Sequence, residues 1–139
     1  MIEPSIEFQT AVRAALISNM DVLALVPADH VRAGSTRPDK FPTIIMAGPQ
    51  TMNLGRTASG EYLTRVYIDL HIWALEDGAD AARRISSAVS VALWDTPPSS
   101  VVGIDEFKRP SFRFMRDPDP VRAHCHGIGT VEGVIRWAV

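Results

Sequence analysis

Along residues 61–74, EYLTRVYIDLHIWA, side chains of opposite character alternate without a break. Tyr62, Thr64, Val66, Ile68, Leu70 and Ile72 fall on one face, and Leu63, Arg65, Tyr67, Asp69, His71 and Trp73 on the other. A period of two predicts a β-strand. The first face is mostly apolar and needs a cover. The second mixes charges with large aromatics, which suits either a half-exposed sheet with long side chains lying flat or a surface that meets a partner.

The rest of the chain divides by the same logic. Phe8, Ala11, Val12, Ala15, Leu16 and Asn19 recur at helical spacing, so residues 5–19 predict an amphipathic helix with Ser5 as its N-cap and Glu7 in the first turn. Asp21 can cap a short second helical stretch over 22–26, closed by Pro27. Residues 30–33 read as a short strand, and 34–42 (GSTRPDKFP) as a polar loop. Residues 43–48 (TIIMAG) predict a buried strand. Residues 49–60 (PQTMNLGRTASG) read as a flexible, exposed hairpin arm, longer than the usual loop of ~4–6 residues. Its Met52 and Leu54 have no evident burial.

After the long strand, Asp77 can cap a helix whose Ala81, Ile85, Ala88, Val89, Ala92 and Leu93 form one apolar stripe, with Arg83, Arg84, Ser86, Ser87 and Ser90 facing away. Thr96-Pro97-Pro98 stops it. Residues 101–104 predict a short strand, and 108–116 another, with Phe112 and Phe114 inward and Arg109 and Arg113 outward. Asp117-Pro118-Asp119-Pro120 is a turn by composition. Residues 121–139 predict a last strand, or two pieces of one, ending flush at Val139, with Gly127, Gly129 and Gly133 permitting bends or bulges. The order predicts an α+β fold: a largely antiparallel β-sheet with two helices packed on one face, in a single domain spanning 1–139.

Composition narrows the function classes. At 46% hydrophobic and 22% charged, the 139-residue chain is ordinary for a soluble domain able to bury a core. A net charge of −2 argues against a polycation built to grip nucleic acid. The single Cys125 rules out an intrachain disulfide and fits a reducing compartment. No apolar run approaches the ~20 residues of a membrane helix. The N-terminal stretch has no signal-peptide pattern, so synthesis in a cytoplasm without export by that route is expected.

Motifs for chemistry are sparse. His124 and His126 would point the same way on a strand, with Asp117 and Asp119 nearby as oxygen donors, yet nothing completes a metal set and Cys125 would point away. As a nucleophile, Cys125 lacks a placed base. Residues 55–60 (GRTASG) are small, like a phosphate loop, but lack the GxxxxGK[ST] order and are followed by a strand. The pairs Glu76-Asp77 and Asp105-Glu106 sit at element ends, and the arginines at 83, 84, 109, 113, 116 and 122 fit a solvated or salt-bridged face better than a basic patch. No catalytic residue, cofactor or metal is therefore expected. What stands out is the arm, the mixed outer face and the flush final strand, all suited to contact with other copies or partners.

The order of these pieces resembles the tail-terminator, or tail-completion, proteins of long-tailed phages and gene transfer agents. The matching segments are FQTAVRAALISNMDVLALV, FPTIIMAG, LTRVYIDLHIWALEDG with AARRISSAVSVAL after it, and the closing FRFMRDPDPVRAHCHGIGTVEGVIRW. The likeness runs from about residue 6 to the end, loosest between Trp94 and Lys108, and the histidine pair departs from the single histidine expected. It implies a structural virion protein and no enzyme: a ring, commonly of six copies, on the head-proximal end of the tail tube. The ring caps the tube, fixes its length and joins the head connector or stopper protein, while DNA passes through unread. It implies as partners other copies of itself, the tail-tube protein and the connector, in a phage or gene-transfer-agent particle, with no membrane. Met52, Leu54 and Arg56 of the arm, with Tyr67 and Trp73 of the outer face, are the expected contact residues.

Two other readings compete. One is a head-tail adaptor or tail-tube protein. The other is a small α+β enzyme or ligand-binding domain using His124 and His126.

Overall fold

The computed structural model describes residues 1–75, 79–116 and 124–139. Helices α1 (Pro4–Ile17) and α2 (Met20–Leu25) open the chain, and a 3₁₀ turn at Ala28–His30 leads into β1 (Val31–Ala33). Two 14-residue strands follow, β2 (Thr43–Arg56) and β3 (Tyr62–Leu75). Then come α3 (Asp80–Ala92), β4 (Gly103–Lys108), β5 (Arg113–Arg116) and β6 (His124–Trp137). The strands form one sheet in the order β1-β2-β3-β6-β4, with β5 also paired to β6. Only β1 and β2 run parallel; the other described pairings are antiparallel. This is the α+β arrangement that the alternation and the helical stripes predict.

The apolar face of β3 is the floor of the core. Val66, Ile68, Leu70 and Ile72 are fully buried there beneath Phe8, Val12 and Leu16 of α1, Val22 of α2, and Ala82, Ile85 and Val89 of α3. Each large apolar side chain so enclosed contributes about 1.5–3 kcal/mol. Small residues on α3 bring its backbone close to the sheet. Ser86, expected to face solvent, is 8% exposed. Its hydroxyl donates to the Arg83 carbonyl at 2.8 Å, which removes the cost of burying it.

Strand β6 is where the expected bends fail to appear. Its ladder with β3 runs unbroken from His124 opposite Leu75 to Trp137 opposite Tyr62. Gly127, Gly129 and Gly133 instead make room above the strand. A Cβ on Gly127 would come 2.9 Å from the Phe114 ring, one on Gly129 2.9 Å from the Phe112 ring and 2.8 Å from the Ser111 carbonyl, and one on Gly133 3.2 Å from Phe8. Phe112 and Phe114 do turn inward onto the core, as their alternation predicts.

Several boundaries differ from expectation. Glu3, not Ser5, caps α1: its carboxylate accepts from the Ile6 N–H at 2.7 Å and from the Ser5 hydroxyl at 2.6 Å. Asn19, not Asp21, caps α2, accepting from the N–H groups of Asp21 and Val22 at 3.0 Å. The strand expected over 101–104 lies at Gly103–Lys108, and that over 108–116 contracts to Arg113–Arg116. The last strand stops at Trp137, short of Val139. Asp77 and the Asp117–Pro120 turn lie outside the described residues.

Candidate assembly surfaces

The largest departure from the sequence pattern is the arm. Residues 49–56 are not a loop but the continuation of β2, paired with β3 from Gln50 opposite Tyr67 to Arg56 opposite Tyr62. The turn proper is residues 57–61, tied by the Thr57 N–H to the Glu61 carbonyl at 2.8 Å and by Gly60 at φ 92°. Two register shifts interrupt the ladder, between Ala47 and Gln50 and between Asn53 and Gly55. Gly48 (φ 58°) and Gly55 (φ 115°) adopt the left-handed conformations these bulges require.

This extension leaves an open edge. β1 covers β2 only from Ile44 to Met46. Beyond that, residues 48–56 are exposed, and no described strand lies on their outer side. Met52 is 53% exposed and Leu54 42%. Along GPQTMNLGR the one charged residue is Arg56, so the edge carries few of the charges that usually guard such strands.

The mixed face of β3 is largely satisfied within the chain. Arg65 donates to Glu132 at 2.9 Å and to Glu106 at 3.3 Å, and Lys108 approaches Glu132 at 3.5 Å. The Thr130 hydroxyl donates to Asp69 at 2.8 Å. His71 Nδ1 meets His126 Nε2 at 2.7 Å, and the Trp73 ring stacks on His126 with centroids 4.0 Å apart. Hydrogen bonding to Glu132 raises the pKa of Arg65 further, whereas burial lowers that of His71 against the upward pull of Asp69.

The five expected contact residues do not form one patch. Met52 lies opposite Arg65, and Tyr67 opposite Gln50 and Glu132, so both sit on the outer face, with Tyr67 half-buried. Leu54 falls at the second bulge. Arg56 turns to the other side, where its guanidinium lies 4.7 Å over the Tyr62 ring and donates to the Tyr62 hydroxyl at 3.0 Å. Trp73 is 4% exposed, enclosed by His126, Ile45, Ala47 and Phe41 with Arg37 5.5 Å above its ring. It therefore has almost no surface to offer a partner, which corrects its place among the contact residues.

His124 and His126 share a face, as their spacing predicts, and both are packed against aromatic or histidine rings. His124 is 4% exposed and packs on Phe41 at 4.4 Å, and His126 is held by His71 and Trp73. Cys125 points to the opposite side and is buried in the core. Among the described residues no group of three or more His, Cys, Asp or Glu is arranged to hold a metal, and no helix is long and apolar enough to cross a membrane. A groove of about 280 Å³ near the far end of β3 is lined by Leu25, Phe41, Pro42, Ala74, Leu75, Ala81, Arg84 and Ile85. None of these side chains is a nucleophile or a general base. The residues sequence reasoning undervalued are Asp105 and Glu106, taken as element-end carboxylates. They sit on β4, the sheet's other edge, where Asp105 accepts from Arg136 at 3.2 Å.

Residues 10–135 match the family model described as tail completion protein gp17. A chain in a structure described as the virion of a native gene transfer agent particle is similar at TM-score 0.67 and 18% identity, over 98% of this chain and 99% of that one. The gp17 protein of bacteriophage SPP1 is similar at TM-score 0.57 and 23% identity, over 93% of this chain and 88% of that one. These two are likenesses of fold. A search among curated proteins gives no match. Since the family model covers nearly the whole length, the chain belongs to the gp17 family of tail completion proteins.

Proposed function

We propose that the chain is a tail terminator: a structural protein of a phage or gene-transfer-agent particle whose copies, six in this reading, form a ring on the head-proximal end of the tail tube. The ring caps the growing tube, fixes its length and presents the surface that joins the head connector or stopper protein. The observation that carries this reading is the family match over residues 10–135. Two features of the chain agree with it. A ring needs two unlike surfaces on each copy, and the sheet has two unlike edges, β2 and β4. A net charge of −2 suits a channel through which DNA slides, because strong cationic contacts would hold the phosphates. Met52, Leu54, Arg56 and Tyr67 are the contact residues in this proposal, and residues 1–139 act as one domain.

The test is deletion of the gene in a host that produces the particles, followed by electron microscopy. Overlong or unjoined tails beside filled, tailless heads are expected. Normal particles would overturn the reading. Heads without tails of any length would point to a tube or earlier assembly role.

A further inference from the structure

Resting on the ring reading above, we propose that the open edge of β2 in one copy pairs with the outer edge of β4 in the next, so that the sheet runs on from copy to copy. The two edges are the ends of one strand order, β1-β2-β3-β6-β4, with β1 covering only the Ile44–Met46 part of β2. Each has regular backbone to offer. On β2 it is Gln50–Asn53, between the two register shifts. On β4 it is Gly103–Asp105, before the shift that follows Asp105. A ladder of this length is comparable to the three pairs that join β1 to β2 within the chain.

Direction is compatible as well. β2 and β6 each run antiparallel to β3, and β4 runs antiparallel to β6, so β2 and β4 point opposite ways in the sheet. Rotation about a ring axis along the strands preserves each strand's direction, and the junction between copies is therefore antiparallel, the better-bonded kind. The edges also differ in charge. The open stretch of β2 has Arg56 alone, whereas β4 carries Asp105, Glu106 and Lys108, the two carboxylates 46% and 69% exposed and already paired with Arg136 and Arg65 of their own chain. Because the edges are unlike, two copies joined this way each keep one free edge. Association is head-to-tail and ends only when a ring closes. Pairing at Gln50–Asn53 would exchange backbone bonds to water for bonds between copies and bring Met52 and Leu54 to the junction.

The experiment places p-benzoylphenylalanine at Leu54 during particle production, then irradiates purified particles and maps the adducts by mass spectrometry. Within one chain β2 and β4 are three strand spacings apart, about 14 Å, so a link between them arises between copies. Adducts on residues 103–108 of a second copy are expected, with a ladder of cross-linked copies on a denaturing gel. Adducts between copies at other residues, or rings free of Leu54 adducts, would overturn the edge pairing while leaving the ring intact. Particles that hold a single copy would overturn both.

Discussion

His71 Nδ1 lies 2.7 Å from His126 Nε2, bridging β3 and β6 on the outer face of the sheet. Such a bond uses one proton between two rings, so it requires at least one of them to stay neutral. His71 is 7% exposed, and burial pushes its pKa below the ordinary 6.5, with Asp69 opposing. Between that lowered pKa and 6.5 the unfolded chain binds more protons than the folded one. Stability therefore rises with pH through this window and is lost as pH falls through it. Urea midpoints measured from pH 8 to pH 5 should drop for the natural chain and drop less for His71→Gln. Parallel profiles would remove His71 as the cause.

The glycines of β6 predict two different responses to the same substitution. Gly127→Ala and Gly129→Ala should each destabilise by about 1–3 kcal/mol, the usual cost of forcing atoms into a filled space. At Gly127 the nearest obstacle is the Phe114 ring, so Phe114→Leu should restore part of the loss. At Gly129 the Ser111 carbonyl, 2.8 Å away, remains whatever replaces Phe112, and Phe112→Leu should not rescue. Chemical denaturation of the four variants decides this, and equal rescue at both positions would contradict it.

Glu106 is held at φ 48°, a conformation that favours glycine, while its carboxylate pairs with Arg65 at 3.3 Å. Alanine there loses the ion pair and keeps the strain; glycine loses the ion pair and relieves the strain. Glu106→Gly should therefore be more stable than Glu106→Ala by about 1 kcal/mol. Thermal unfolding of both variants checks the order, and an alanine variant as stable as the glycine one would mean the backbone there is unstrained.

The exposed stretch of β2 separates folding from assembly. Residues 48–56 contribute nothing to the buried core. Met52→Ser with Leu54→Ser should leave stability within about 0.5 kcal/mol, as is usual for exposed positions. The double variant should fail to enter particles, as read by immunoblot of purified particles. Its normal incorporation would remove the contact role from this segment.

Much of the fold was legible because it rests on local periodicity. The alternation at Thr64–Ile72 located β3 and its buried face, and the spacing of Ile85, Val89 and Leu93 located α3. The proposed contact surface was legible only in part. Met52 and Leu54 stood out as apolar residues without burial, and they are exposed. Trp73 stood out equally, but whether an aromatic on a mixed face is buried depends on what packs over it. Here that is Phe41 and Arg37, from a loop some thirty residues away in sequence.

The sequence by itself determined which faces must be hidden: apolar stripes at periods of two and 3.6 have no stable place in water. It also determined the family likeness, which lies in the order of such segments. Tertiary structure alone decided that residues 49–56 extend as strand, because a polar, glycine-bearing segment becomes a strand only where a neighbour such as β3 supplies backbone partners. Tertiary structure also made Gly127, Gly129 and Gly133 places of close approach rather than bends, and turned His71 toward His126. These outcomes rest on contacts between residues far apart in the chain, and the spacing of neighbours carries no record of them.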